Sequence, residues 1–155
     1  MTEQLSPLAL QALAVVEESG AIISANHAHP HTIRHKGRID LVTETDIAVE
    51  AFLKERLATL APQAGFLAEE SAEDLSLPDT CWIIDPVDGT TNFAHGLPLT
   101  VTSVAYRLNG EIVLGIVNAP LLRECFIAEK GKGAWRNGER ISVSSVTACE
   151  NALVA

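Results

Sequence analysis

Apolar positions along the start of the chain recur at helical spacing. Leu8, Ala12, Val15, Val16 and Ile23 form one stripe, and Ser6 followed by Pro7 reads as an N-cap and first helical position. A first amphipathic helix is therefore predicted. The run from His27 to His35 has no period and contains Pro30, so it reads as a loop. Thr43-Glu44-Thr45-Asp46 has the spacing of a capping box, and Val49, Phe52, Leu53, Leu57 and Leu60 continue it as one stripe that ends before Pro62. That predicts a second helix. Short runs of strand character follow: Gly65 to Ala68, Trp82 to Ile84, Val101 to Tyr106 and Ile112 to Val117 around Asn109-Gly110, then Cys125 to Ala128 before Gly131-Lys132-Gly133. Asn137-Gly138 marks one more turn and Ile141 to Val143 one more strand, so the strands are expected to form an antiparallel meander. The closing residues 151–155 (NALVA) read as the start of a further apolar strand.

The 155 residues, 47% of them apolar, are enough for one ordinary domain with a real core, and a single unit over 1–155 is expected. A net charge of -9 argues against nucleic acid or an anionic membrane as the main partner, because both repel an acidic surface. An acidic protein that handles anions needs a borrowed cation. The start of the chain lacks the basic residues of a signal peptide, and no uninterrupted apolar run reaches the roughly 18 residues that span a bilayer, so a cytoplasmic location is expected. Cys81, Cys125 and Cys149 are odd in number and widely spaced, which fits neither a disulfide framework nor a zinc site. They are expected to be reduced and partly buried, with Cys81 a packing residue at a strand start.

Charge placement is more informative than net charge. From Leu57 to Tyr106 there is no Lys or Arg, yet the segment holds seven carboxylates: Glu69, Glu70, Glu73, Asp74, Asp79, Asp85 and Asp88. Glu73, Asp74 and Asp79 read as ordinary surface charges. Asp85 and Asp88 follow the apolar run Trp82-Ile83-Ile84, so a strand delivers them from the core to the edge of a cleft. Pro86 holds Asp85 extended and Gly89 lets the chain turn sharply. Together with Glu69-Glu70 at the end of a neighbouring strand, these carboxylates repel one another unless a hard divalent cation sits among them. Oxygen ligation without nearby Cys or His selects magnesium, manganese or calcium over zinc, and the Val87 carbonyl is a further available oxygen. Gly89-Thr90-Thr91-Asn92-Phe93 then reads as a turn opening a helix, whose free N–H groups can hold an anion. Spacing alone leads to metal-assisted phosphoryl chemistry, with an acidic turn at a strand end as the bland alternative.

The block from Asp85 to Phe93 (DPVDGTTNF) resembles the signature of the inositol monophosphatase family, and Asp40 to Asp46 (DLVTETD) and Phe66 to Ser71 (FLAEES) agree with that family in order and spacing. Gly131 to Ser144 is also similar to it, so the resemblance covers essentially the whole chain. It implies an α+β fold, with N-terminal helices packed on an antiparallel sheet as the first half of a layered sugar-phosphatase sandwich. The implied activity is magnesium-dependent, lithium-sensitive hydrolysis of inositol monophosphate or a related sugar phosphate. Carried over position by position, Glu69 and Asp85 with the Val87 carbonyl bind one Mg2+, and Asp85 with Asp88 contributes to a second. Glu69 and Thr90 position the attacking water, with Asp46 hydrogen-bonded to the Thr90 hydroxyl. The Gly89 and Thr90 N–H groups hold phosphate oxygens, with Thr91 beside them, and Asp88 meets a substrate hydroxyl.

Two departures from the family pattern stand out. Ala68 replaces a glycine common before the acidic pair, and no residue after Val143 supplies the later Trp-Asp block whose aspartate completes the second metal site. Partnership with a missing C-terminal half, or a homodimer, is expected on that ground. Fructose-1,6-bisphosphatase and adenosine bisphosphate nucleotidase chemistry remain alternatives. So do a non-catalytic metal-binding assembly domain and a fragment that folds poorly alone. The alternating His27, His29 and His31 read as part of a surface loop rather than a transition-metal site, and Lys36 as solvated rather than a phosphate ligand.

Overall fold

A computed structural model describes residues 5–27, 33–35, 41–70 and 77–153. Helix α1 (Pro7–His27) starts where Ser6 caps it: the Ser6 hydroxyl accepts from the Ala9 N–H at 3.2 Å. The short strands β1 (Ile33–His35) and β2 (Leu41–Thr43) pair antiparallel, so the expected loop gives way to a strand in its last three residues. Helix α2 (Glu44–Leu60) carries the expected capping box: Thr43 accepts from the Thr45 N–H, and the Asp46 carboxylate accepts from the Thr43 N–H. Its carbonyl end closes at Ala61, before Pro62, which cannot continue the hydrogen-bond ladder.

Among the described residues seven strands form the main sheet: β3 (Gly65–Ala68), β4 (Cys81–Asp88), β5 (Val101–Leu108), β6 (Glu111–Ala119), β7 (Glu124–Glu129), β8 (Gly133–Arg136) and β9 (Glu139–Ile141), side by side in that order. From β4 onward every pair is antiparallel, as expected of a meander. The β3–β4 pair is parallel, with Gly65 opposite Cys81 and Ala68 opposite Ile84, so the sheet is mixed. The consequence is functional: in a parallel pair both strands reach the same end of the sheet, and Glu69 and Asp85 emerge there together. The last strand falls at Glu139–Ile141 instead of Ile141–Val143. The closing segment forms a 3-10 turn at Cys149–Asn151 and no strand through Leu153, with residues 154–155 outside the described set. Asn109-Gly110 and Asn137-Gly138 both take positive φ (52° and 84°, 47° and 88°), as two-residue hairpin turns require.

Both long helices cover one face of the sheet. Alternate residues of the strands point to them, among them Trp82, Ile84, Val104, Tyr106, Leu114, Ile116, Ile127 and Trp135, all buried. Trp82 and Tyr106 meet across the β4–β5 ladder with ring centroids 4.5 Å apart. Helix α1 lies so close to the end of β6 that a Cβ on Gly20 would stand 2.7 Å from Asn118 Nδ2, whose amide donates to the Val16 carbonyl at 3.2 Å. By length and composition alone α1 could cross a bilayer, with Glu17 and Glu18 its only Asp, Glu, Lys or Arg residues. Its Ala9, Ala12, Val16 and Ile23 are nevertheless packed in the protein core. Cys81 and Cys125 are buried free thiols, the latter pushed up to about 12 by burial, whereas Cys149 is exposed rather than partly buried.

Candidate metal and phosphate site

The end of β4 is where the sheet stops being regular. Its ladder with β5 pairs Asp85 with Ser103 and then Asp88 with Val101, so one extra residue is accommodated on β4. Pro86 lacks the N–H that a regular ladder would use, and a bulge is the form such a defect takes. The carbonyls freed by the bulge are captured by two buried threonines, Thr102 in β5 and Thr100 just before it. The Thr102 hydroxyl donates to the Pro86 carbonyl and the Thr100 hydroxyl to the Asp88 carbonyl, each at 2.9 Å. A rigid Asp85–Asp88 segment results, and neither threonine stands out in the sequence, because nothing local marks a hydroxyl whose partner is a distant carbonyl.

At Gly89 the chain turns with φ 90°, and a Cβ there would stand 2.8 Å from the Leu99 carbonyl oxygen. Only glycine fits. It caps the short helix α3 (Thr90–Ala94), as the sequence suggests, so the N–H groups of Thr90 and Thr91 have no partner within the helix. Phe93, fully buried, anchors α3 against the ring of His27 with centroids 5.8 Å apart. That packing is the role the structure assigns to His27. His29, His31, Lys36, Glu73 and Asp74 lie outside the described residues.

Asp46 joins α2 to this turn. The carboxylate is 1% exposed, and it accepts from the Thr43 N–H at 2.9 Å, from the Thr43 hydroxyl, and from the Thr90 hydroxyl at 3.0 Å. The Thr90 hydroxyl also has the Val87 carbonyl within 2.9 Å. Its one proton therefore always has an acceptor on the protein side, either Asp46 or the Val87 carbonyl.

Glu69 follows β3, with its N–H bonded to the Ile84 carbonyl at 3.1 Å as a last rung of the parallel pair. Its carboxylate is close enough to that of Asp85 to disfavour ionisation there. Burial, then the neighbouring Glu69 carboxylate, then the charge of Asp88 push Asp85 up to about 7, against a smaller opposing pull from the Val87 N–H. Asp85 Oδ1 is buried without a hydrogen-bond partner. Among the described residues no three acidic, His or Cys side chains converge into a metal cage; Asp85 feels the charge of both Glu69 and Asp88, and Asp88 is exposed. An orphaned buried carboxylate oxygen, beside a second carboxylate and within a segment lacking Lys and Arg, nonetheless suits a hard divalent cation.

A mixed sheet under two helices, with an acidic strand end running into a glycine turn, defines an α+β domain. The family model for the inositol monophosphatase family matches residues 4–155, and the chain belongs to that family. It is 45% identical over 148 residues to an inositol monophosphatase of Dictyostelium discoideum, covering 93% of this chain and 54% of the relative. It is 44% identical over 114 residues to a fructose-1,6-bisphosphatase/inositol-1-monophosphatase of Thermotoga maritima, covering 74% of this chain and 44% of the relative. Among solved structures, the extragenic suppressor protein suhB of Bartonella henselae superposes with a TM-score of 0.84 at 33% identity, over 91% of this chain and 56% of that one. An IMPase/NADP phosphatase complexed with Mg2+ and phosphate superposes with a TM-score of 0.73 at 27% identity, over 82% and 49%. The chain thus spans about half the length of the relatives it matches.

Proposed function

We propose that this chain carries the metal-binding and water-activating part of a phosphomonoesterase acting on inositol monophosphate or a related sugar phosphate. The observation that carries the reading is the buried, unpartnered Asp85 Oδ1 set against Glu69 at the mouth of the Gly89 turn. Glu69, Asp85 and the Val87 carbonyl would hold one Mg2+, and Asp85 with Asp88 would contribute to another. A Mg2+ held there would supply charge neutralisation at the phosphoryl group and a lowered pKa for the attacking water. The protein side chains do the rest. Because Asp46 and the Val87 carbonyl both compete for the Thr90 proton, the Thr90 oxygen is left as an acceptor for one proton of that water. Glu69 accepts the other. The two residues fix the water from two sides and orient it for in-line attack. The N–H groups of Gly89, Thr90 and Thr91 would supply donors to phosphoryl oxygens, and Asp88, an exposed carboxylate, would meet a substrate hydroxyl.

The name of the Thermotoga relative supports a second substrate reading, a fructose bisphosphate, on the same machinery. Phosphate release from inositol 1-phosphate and from fructose 1,6-bisphosphate, each with Mg2+, with EDTA and with added Li+, tests both. Turnover that requires Mg2+ and falls with Li+ supports the proposal. A folded chain that binds Mg2+ and releases no phosphate from either substrate would refute it for this chain.

A further inference from the structure

Helix α2 presents a second buried carboxylate toward the site. Glu50 is 4% exposed, and its Oε2 accepts from the Glu70 backbone N–H at 2.8 Å. Lys54, one turn on, places its ammonium 3.9 Å from the other carboxylate oxygen. Burying a carboxylate is costly unless hydrogen bonds replace its water, so this contact needs a reason. The position of Glu70 supplies one. Among the described residues strand β3 is an edge strand paired with β4 alone, and that pairing runs out at the bond from the Glu69 N–H to the Ile84 carbonyl. The next peptide N–H, that of Glu70, has left the ladder and is taken by Glu50. Glu69 is thus pinned on both sides, to the sheet before it and to α2 after it.

The same helix holds Thr90. Asp46 and Glu50 are four residues apart, on one face of α2 and about 6 Å apart along its axis. Asp46 fixes the Thr90 hydroxyl, and Glu50 fixes the peptide carrying Glu69. We propose that Glu50 is a positioning residue for Glu69: through Asp46 and Glu50, α2 sets the separation of the two groups that grip the attacking water. The inference rests on the phosphatase reading for its catalytic consequence, and on hydrogen bonding alone for its geometric one.

Three substitutions separate reach from charge in the full chain. Glu50→Gln keeps the acceptor and its reach; Glu50→Asp keeps the charge and falls one methylene short; Glu50→Ala loses both. Leu57→Val, two turns along α2 in the core, controls for general loosening. Measurements are kcat and KM, Mg2+ affinity by calorimetry, and exchange of the Glu70 amide proton by NMR. The expected result is that Glu50→Asp and Glu50→Ala lower kcat and Mg2+ affinity roughly 10–100-fold with little change in KM, the usual cost of removing a group that orients a ligand. Glu70 exchange accelerates in both. Glu50→Gln stays within about threefold of the parent, and Leu57→Val changes stability alone. If Glu50→Asp and Glu50→Ala retain parental Mg2+ affinity and Glu70 protection, the positioning role is overturned. A parent chain that binds Mg2+ without turnover, while both variants bind it more weakly, would refute the phosphatase reading and leave the positioning role standing.

Discussion

Replacing Asp46 by Asn is the sharpest test of how the Thr90 hydroxyl is set. The carboxylate receives three donors: the Thr43 N–H, the Thr43 hydroxyl and the Thr90 hydroxyl. An asparagine offers one acceptor and one donor of nearly the same shape. Its carbonyl oxygen must face Thr43, because the backbone N–H there cannot reverse its role. Its amide then faces Thr90. The threonine hydroxyl can adapt by donating to the Val87 carbonyl, already 2.9 Å away, while its oxygen accepts from the new amide. The helix cap survives, so the expected stability loss is about 1 kcal/mol, within the range for weakening a cap. Activity behaves differently. The Thr90 hydroxyl now accepts where it donated, and its hydrogen bond to a charged group, worth about 1.5–3 kcal/mol, is gone. At 1.36 kcal/mol per decade, kcat should fall roughly 10–200-fold. Asp46→Ala should cost more stability, about 3 kcal/mol, because two Thr43 donors lose their partner in a buried site. The assay pairs urea unfolding with steady-state phosphate release at saturating Mg2+. A D46N variant that loses several kcal/mol of stability but keeps parental kcat per folded molecule would refute the reasoning, since the carboxylate would then be a cap and nothing more.

The remaining predictions address the carboxylates and the turn. Asp85 is protonated more readily in the folded chain (about 7) than in the unfolded chain (3.8), so between those values the folded state holds the extra proton. Without metal, stability should therefore decrease as pH rises from about 4 through about 7, and thermal melts across that range check the sign. Added Mg2+ should raise the melting temperature more at pH 8 than at pH 5, because protonation and metal compete for the same oxygens. Gly89→Ala puts a Cβ at φ 90° and 2.8 Å from the Leu99 carbonyl. It should destabilise by about 1–3 kcal/mol and abolish most turnover, and a variant with parental melting temperature and kcat would show that the turn relaxes freely. Asp88→Asn, on the exposed side of the site, should weaken Mg2+ binding and lower kcat while leaving the melting temperature of the metal-free chain unchanged within a degree or two. Calorimetric titration with Mg2+ reads the first effect directly.

Much of this architecture is written in local patterns. Ser6-Pro7 and the Thr43–Asp46 box start their helices where the structure has them, because capping depends on residues within one turn. Asn109-Gly110 and Asn137-Gly138 place their hairpins because positive φ at both central residues is a local requirement. The Asp85–Phe93 block announced its chemistry for the same reason: two carboxylates, a proline and a glycine at that spacing form a stiff acidic turn with few alternatives. Other features depended on long-range pairing. A strand's sequence does not record the direction of its neighbour, so the parallel β3–β4 pair that brings Glu69 beside Asp85 emerged only in the fold. The rise of Asp85 to about 7 depends on burial and on a carboxylate sixteen residues earlier in the chain. Likewise, Thr100, Thr102 and Glu50 are unremarkable in sequence, because their roles are to receive or supply hydrogen bonds to backbone groups 12 to 20 residues away. Local chemistry determined which groups are available, and tertiary packing decided which of them meet.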